Sequence, residues 1–227
     1  MKLKALLLSA LILTLAACEK KESAPAELNL ATDEDRFSYG LGMLVGERVL
    51  KQYGEVDYDL VLAGMKAQHQ DSDTLLTMDE AGNALNAYAE KQFEEQSAAN
   101  RKRGEDYLKS NAEKEGVQVT ESGLQYSVIT AADGAKPKAT DEVTVHYRGT
   151  LIDGTEFDSS YSRGEPTSFT LNQVIPGWTE GVQLMSIGSK YRFVIPFGLA
   201  YGERGAGGQI GPFETLIFEV ELLEIKS

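Results

Sequence analysis

The side chains that usually carry acid–base, nucleophilic or metal chemistry are few in this chain and badly spaced for it. Its two histidines, His69 and His146, stand far apart in the sequence, whereas a metal site needs a cluster of ligands. Nucleophilic catalysis needs a base beside a serine or cysteine. The single cysteine, Cys18, lies near the N-terminus, and His146 falls on a strand-like run where it points with Thr144 and Arg148, away from Val145 and Tyr147. The glycine-rich run 202–212 lacks a Lys-Ser/Thr pair and leads into a strand rather than a helix. It therefore reads as a loop that folds back over a ligand, not as a phosphate cradle. No metal and no cofactor is implied. What the chain does offer is aromatic: Gln173-Val174-Ile175-Pro176-Gly177-Trp178-Thr179-Glu180-Gly181-Val182 holds its only tryptophan, just after a Pro-Gly corner. Trp178, Val182 and Met185 follow helical spacing, and strand-like segments at 142–151 and 189–196 flank them. An aromatic helix start set against a sheet encloses an apolar hollow.

Alone, Trp178 would be the core anchor of a small α+β domain. It stands instead in an ordered series. Val143-Thr144-Val145-His146-Tyr147-Arg148-Gly149 comes first, then Gly154-Thr155-Glu156-Phe157-Asp158-Ser159-Ser160 and Arg163-Gly164-Glu165-Pro166. Beyond the tryptophan come Leu199-Ala200-Tyr201-Gly202 and Glu214-Thr215-Leu216-Ile217-Phe218-Glu219-Val220-Glu221-Leu222. The series closely resembles the FKBP family of peptidyl-prolyl cis-trans isomerases, densely from about Gly123 onward and more loosely before it. Together with the leader and the helical first half described below, it resembles the Mip/FkpA-type lipoprotein branch of Gram-negative envelopes.

The resemblance implies a pocket. Trp178 would floor it beneath a proline ring, with Tyr147, Phe157, Val174, Ile175, Phe218 and Phe169 as walls. The Ile175 N–H and the Tyr201 hydroxyl would hold carbonyls of the bound peptide. Asp158, oriented by Tyr147 and Arg163, would sit at the edge, and Ile210 in the flap. Three positions depart from the family's pattern: Ala206 where an aromatic residue or His is common, Gln209 where an aliphatic residue is common, and Thr167 for an aromatic residue seen in single-domain relatives. They bear on ligand affinity and substrate preference. Implied partners are proline-containing unfolded or partly folded proteins and macrolide inhibitors such as FK506.

Such a pocket suits a reaction that needs no base, nucleophile or metal. An X–Pro amide isomerises uncatalysed in tens to hundreds of seconds, over a barrier of roughly 20 kcal/mol. Much of that barrier is lost resonance, so the twisted amide is less charge-separated than the planar one, and a dry apolar site favours it. Lowering the barrier by about 5 kcal/mol would give turnover on the order of 100 per second. The alternative is a non-catalytic dimeric clamp that holds unfolded chains.

The elements that must position these residues occupy 227 positions with a formal charge of −13, which argues against a nucleic-acid partner. Residues 1–17 read as a signal peptide: Lys2 and Lys4 precede an apolar run shorter than the about 20 residues a spanning helix needs. Leu15-Ala16-Ala17-Cys18 resembles a lipobox, making Cys18 the expected lipidation site and the acyl chains the only hold on the membrane. With Glu19 rather than Asp after the cysteine, the sequence resembles the outer-membrane sorting pattern; it leaves the leaflet open, and the periplasmic face is the expected one. Residues 18–35 read as a disordered tether.

Residues 36–115 read as a helical dimerisation region. A first helix capped by Thr32 or Asp33 carries Phe37, Leu41, Leu44 and Val45, with Gly40, Gly42 and Gly46 suiting the close approach of another helix. A second spans 59–70. Both are too short to bury a core by themselves, so two copies are expected to pair through residues 36–93. A long third helix, 78–115, opens with the capping box of Thr77 and Glu80. Beyond Phe93 its apolar residues thin out, and the sequence suggests a solvated spacer, with Arg101, Lys102 and Arg103 on a solvent face. Residues 116–227 read as the isomerase domain. Strands at 124–130, 142–151, 168–171, 190–195 and 216–225, with a hairpin turn at Asp153-Gly154, form an antiparallel sheet wrapped on the short helix after Pro176. The fold class is α+β.

Overall fold

The computed structural model describes residues 29–226. The signal peptide, the Cys18 lipidation site and most of the tether lie outside the described residues. The chain divides into two compact units, 1–73 and 74–227.

The first unit is two helices, α1 (Asp33–Arg48) and α2 (Tyr58–His69). Thr32 closes a capping box with Asp35, each side chain accepting the other's backbone N–H at 3.0 Å. Asp57 caps α2 by accepting from the N–H groups of Asp59 and Leu60. Neither helix buries a single residue. Phe37, Met43, Tyr58 and Leu60 are each more than half exposed.

The second unit begins with α3 (Met78–Ala112), whose 35 residues span about 52 Å. Its N-terminus carries the expected box: Thr77 Oγ1 accepts from Glu80 N–H at 3.2 Å, and Glu80 accepts from Thr77 N–H at 2.8 Å. Its second half departs from expectation. The residues after Phe93 are not uniformly solvated; Ser97, Asn100, Gly104 and Asn111 are buried against the domain that follows. Arg101 stacks on Phe213 with its guanidinium carbon 4.1 Å from the ring centroid, and Arg103 reaches Glu214 at 3.3 Å. All three basic residues are exposed, as expected, yet Arg101 and Arg103 also contact the following domain while Lys102 pairs with Asp106 on the helix itself. The docked stripe does recur every three or four residues. It consists of small and polar groups, so a hydrophobic pattern misses it.

Seven strands follow: β1 (Gln118–Val119), β2 (Gln125–Thr130), β3 (Glu142–Leu151), β4 (Glu156–Ser159), β5 (Thr167–Thr170), β6 (Lys190–Ile195) and β7 (Leu216–Lys226). They make one antiparallel sheet in the order β1-β2-β6-β7-β3-β4. The outer edge of β3 is shared, β5 pairing with Glu142 to Val145 and β4 with Arg148 to Thr150. The Asp153-Gly154 turn forms as the dipeptide suggests. Gly154 takes φ +90°, and Asp153 accepts from Thr155 N–H at 2.9 Å. Strands β1 and β4 and the one-turn helix α4 (Ser160–Arg163) were not foreseen; all are too short for a periodic signal.

Alternation along β3 buries Val143, Val145 and Tyr147, and β7 adds Leu216, Phe218, Val220 and Leu222. Against this face lies α5 (Pro176–Val182), with Pro176 at its first turn and Trp178 and Val182 directed into the core. Two glycines let the helix lie flush on the sheet. A Cβ on Gly177 would fall 2.4 Å from Ile195 Cγ2, and one on Gly181 would fall 2.7 Å from the Phe193 ring. Gly181→Ala should therefore lower stability by about 1–3 kcal/mol through overpacking, read as a reduced urea midpoint at unchanged m-value. An unaltered midpoint would mean that α5 is not clamped in this way.

Candidate active site

The site is built from residues that β3 and α5 bring face to face. Trp178, only 4% exposed, meets three rings edge-on: Tyr147 at 5.2 Å, Phe218 at 5.3 Å and Phe169 at 5.5 Å between centroids. Offset and edge-to-face contacts of this kind are favoured by the ring quadrupole and fix the rings relative to one another. Phe157 joins by its own edge-to-face contact with Phe218. Gly149 on β3 makes room for these last two, since a Cβ there would lie 2.7 Å from both rings.

Above the indole the rings leave a hollow of about 280 Å³ that opens to solvent. Tyr147, Asp158, Phe169, Val174, Ile175, Trp178, Tyr201 and Phe218 line it, all of them singled out from sequence. Phe157 and Ile210, also singled out, line instead an adjoining hollow of about 250 Å³ beneath the loop 202–211. The two hollows share Asp158, Tyr201 and Phe218. Gln173 lines the first and was missed; nothing in its type or spacing marks it, and it enters only as the neighbour of Val174.

The polar rim is a single network. Asp158 is gripped through one oxygen by the Tyr147 hydroxyl and through the other by Arg163 Nη1. Arg163 Nη2 donates further to the Tyr147 oxygen at 2.9 Å and to Thr167 Oγ1 at 3.1 Å. Arg163 reaches inward because Ser159 caps α4 and Gly164 ends it in the left-handed conformation. Burial, and then donation to Asp158, pushes the Tyr147 phenol up to about 12. Arg163 is held above its usual range by the same two partners. Tyr201 is pushed up by burial and by the nearby Asp158 charge. These phenols keep their protons at neutral pH, and the carboxylate is already bonded on both oxygens. The arrangement can present hydrogen bonds and an apolar wall; it is not poised to pass protons. Two donors remain free: among the described residues neither the Ile175 N–H nor the Tyr201 hydroxyl is bonded to another group. His146 lies outside the hollow, half-buried on the far side of β3, stacked on Tyr161 at 4.6 Å and 2.9 Å from Ser160 Oγ.

Comparison with known proteins identifies the family. A family model described as FKBP-type peptidyl-prolyl cis-trans isomerase matches residues 133–223. Another, for the domain amino terminal to that isomerase, matches residues 34–128. The chain is 43% identical to the FKBP-type peptidyl-prolyl cis-trans isomerase FkpA of Aeromonas hydrophila, over 97% of this chain and 93% of that one. It is 40% identical to the outer membrane protein MIP of Legionella longbeachae, over 100% and 99% of the two chains. The crystal structure of FkpA from Escherichia coli superposes with a TM-score of 0.70 at 40% identity, covering 87% of this chain and 99% of that one.

The raised phenol makes one pH dependence calculable in sign. Tyr147 in the folded chain holds its proton to about 12, against 10.0 for an ordinary tyrosine phenol, as in the unfolded chain. Its contribution to stability is therefore whole below pH 10 and is lost as pH rises through 12. Tyr147→Phe should flatten the fall in unfolding free energy across that window. An equally steep fall in the variant would show that the phenol is not held as described.

Proposed function

The chain belongs to the FKBP-type peptidyl-prolyl cis-trans isomerases, and from that premise we propose that the ring-walled hollow above Trp178 is where X–Pro amides turn. The enzyme's reaction is rotation about a peptide bond, with no bond made or broken. The observation that carries the site assignment is the open hollow whose floor is a buried indole and whose two unbonded donors lie on its wall. In this reading the proline ring rests on Trp178 between Tyr147, Phe169 and Phe218, with Val174 alongside. The Ile175 N–H and the Tyr201 hydroxyl accommodate flanking carbonyls. Twisting the amide reduces its charge separation, so contact with apolar rings stabilises the twisted form over the planar one. Asp158, fixed by Tyr147 and Arg163, orients the polar edge without donating or accepting a proton. Phe157 and Ile210 contact the substrate on the loop side.

The biological setting we assign is the folding of proline-containing envelope proteins, with the chain anchored through Cys18 to the outer membrane and facing the periplasm. Residues 36–93 would pair two copies. The apolar side chains of α1 and α2 are exposed in the single chain, and nothing lies within 4 Å of where a Cβ on Gly40, Gly42 or Gly46 would stand. Both features suit a helix partner at close range. Residues 116–227 carry the catalysis. FK506 would compete for the same hollow.

Trp178→Leu and Asp158→Ala should each slow proline-limited refolding and a protease-coupled proline-peptide assay by at least about tenfold. FK506 should inhibit the unaltered enzyme. Wild-type rates in both variants would remove the catalytic assignment. Sedimentation of the mature, delipidated chain should give a dimer at micromolar concentration; only monomer would end the pairing claim.

A further inference from the structure

The loop 202–211 walls the second hollow with few bonds of its own. Gly202, Gly205, Gly207 and Gly208 all take positive φ. Within the loop, Ala206 and Ile210 exchange backbone bonds at 2.8 and 3.1 Å. Phe213 N–H closes its base on Gly202 C=O at 3.1 Å. Glycine-rich backbone loses much freedom on ordering, so such a loop holds its shape only as firmly as its ends are gripped.

The downstream end is gripped by α3. Asn100, 2% exposed, donates through Nδ2 to the Pro212 C=O at 2.8 Å. Its amide is oriented for this because Oδ1 accepts from Arg103 Nη2 at 2.6 Å. Gly211 passes so close that a Cβ would sit 3.1 Å from Asn100 Nδ2. Phe213 takes φ +56°, a conformation costly for an aromatic residue. Its ring is packed between Phe197, at 5.0 Å, and the Arg101 guanidinium. Gly104 lets the helix backbone close on Thr215, where a Cβ would lie 2.5 Å from Oγ1.

We propose that the second half of α3 positions the loop over the isomerase site, with Asn100 and Arg101 as positioning residues that act through Pro212 and Phe213 on Gln209 and Ile210. Neither touches the hollows. Their effect falls on how tightly substrate is held on the loop side, not on the rings that favour the twisted amide. The inference rests on the assignment of the hollow above Trp178 as the active site.

The test uses the full chain with Asn100→Leu, Arg101→Ala and, as the conservative control, Arg101→Lys. Amide hydrogen exchange at Ala206 and Ile210 should quicken by about tenfold in the first two variants, with exchange at Val145 and Val220 in the sheet unchanged. For a proline peptide, KM should rise about fivefold while kcat stays within about twofold. Fluorescence of the single tryptophan should be unaltered, and Arg101→Lys should restore most of the KM. Wild-type exchange and KM in either of the first two variants that folds would overturn the proposal. So would losses spread equally over loop and sheet, since that is general destabilisation. Failure of the underlying reading is separable: Trp178→Leu with full activity would displace the active site while leaving the loop-exchange result standing.

Discussion

Everything in the site depends on holding a hollow open in the middle of a packed domain. An apolar cavity in a core ordinarily collapses or costs stability, because the side chains around it lose contacts on one side. Here the rings cannot close in. Trp178 is fixed edge-on by Tyr147, Phe169 and Phe218, and these rings project from β3, β5 and β7, which are paired along their lengths. The floor is equally constrained, since Gly177 and Gly181 press α5 onto β6 with no room for a methyl group. Among the described residues the buried indole N–H has no partner, and an unmet donor of this kind is tolerated only where the surrounding structure determines the ring's place.

The polar edge follows from the same constraint. Asp158 stands at the open edge of the hollow and is met on both oxygens by Tyr147 and Arg163. Thr167 also has a use here: it accepts from Arg163 and so helps to fix the guanidinium. Gln209 and Ala206 line the second hollow, giving that side a carboxamide and a small side chain.

The two halves of α3 are of different kinds. The first carries exposed apolar residues, Leu85, Tyr88 and Phe93, and continues the unpartnered character of α1 and α2. The second docks through small and polar groups on the segment between the loop and β7. Expecting a free spacer treated helix burial as something only hydrophobic residues signal. Gly104 against Thr215 and Asn100 on Pro212 bury backbone and amide instead.

The amino-acid order by itself determined the capping box at Thr77, the strands β3, β6 and β7, the Asp153-Gly154 turn and the aromatic start of α5. Each of these arises from neighbours within a few residues, where backbone geometry and side-chain period act directly. The identities of the ring residues were legible too, through the ordered motifs around Tyr147, Asp158, Trp178 and Tyr201. Only the tertiary structure decided that Phe157 and Ile210 face a second hollow, that Gln173 enters the first, and that Asn100 is buried against Pro212. Those outcomes depend on contacts between residues as much as 112 positions apart, such as Asn100 with Pro212. Whether a polar side chain is buried or solvated is set by the partner it meets across such a distance, and that partner leaves no periodic trace in the chain around it.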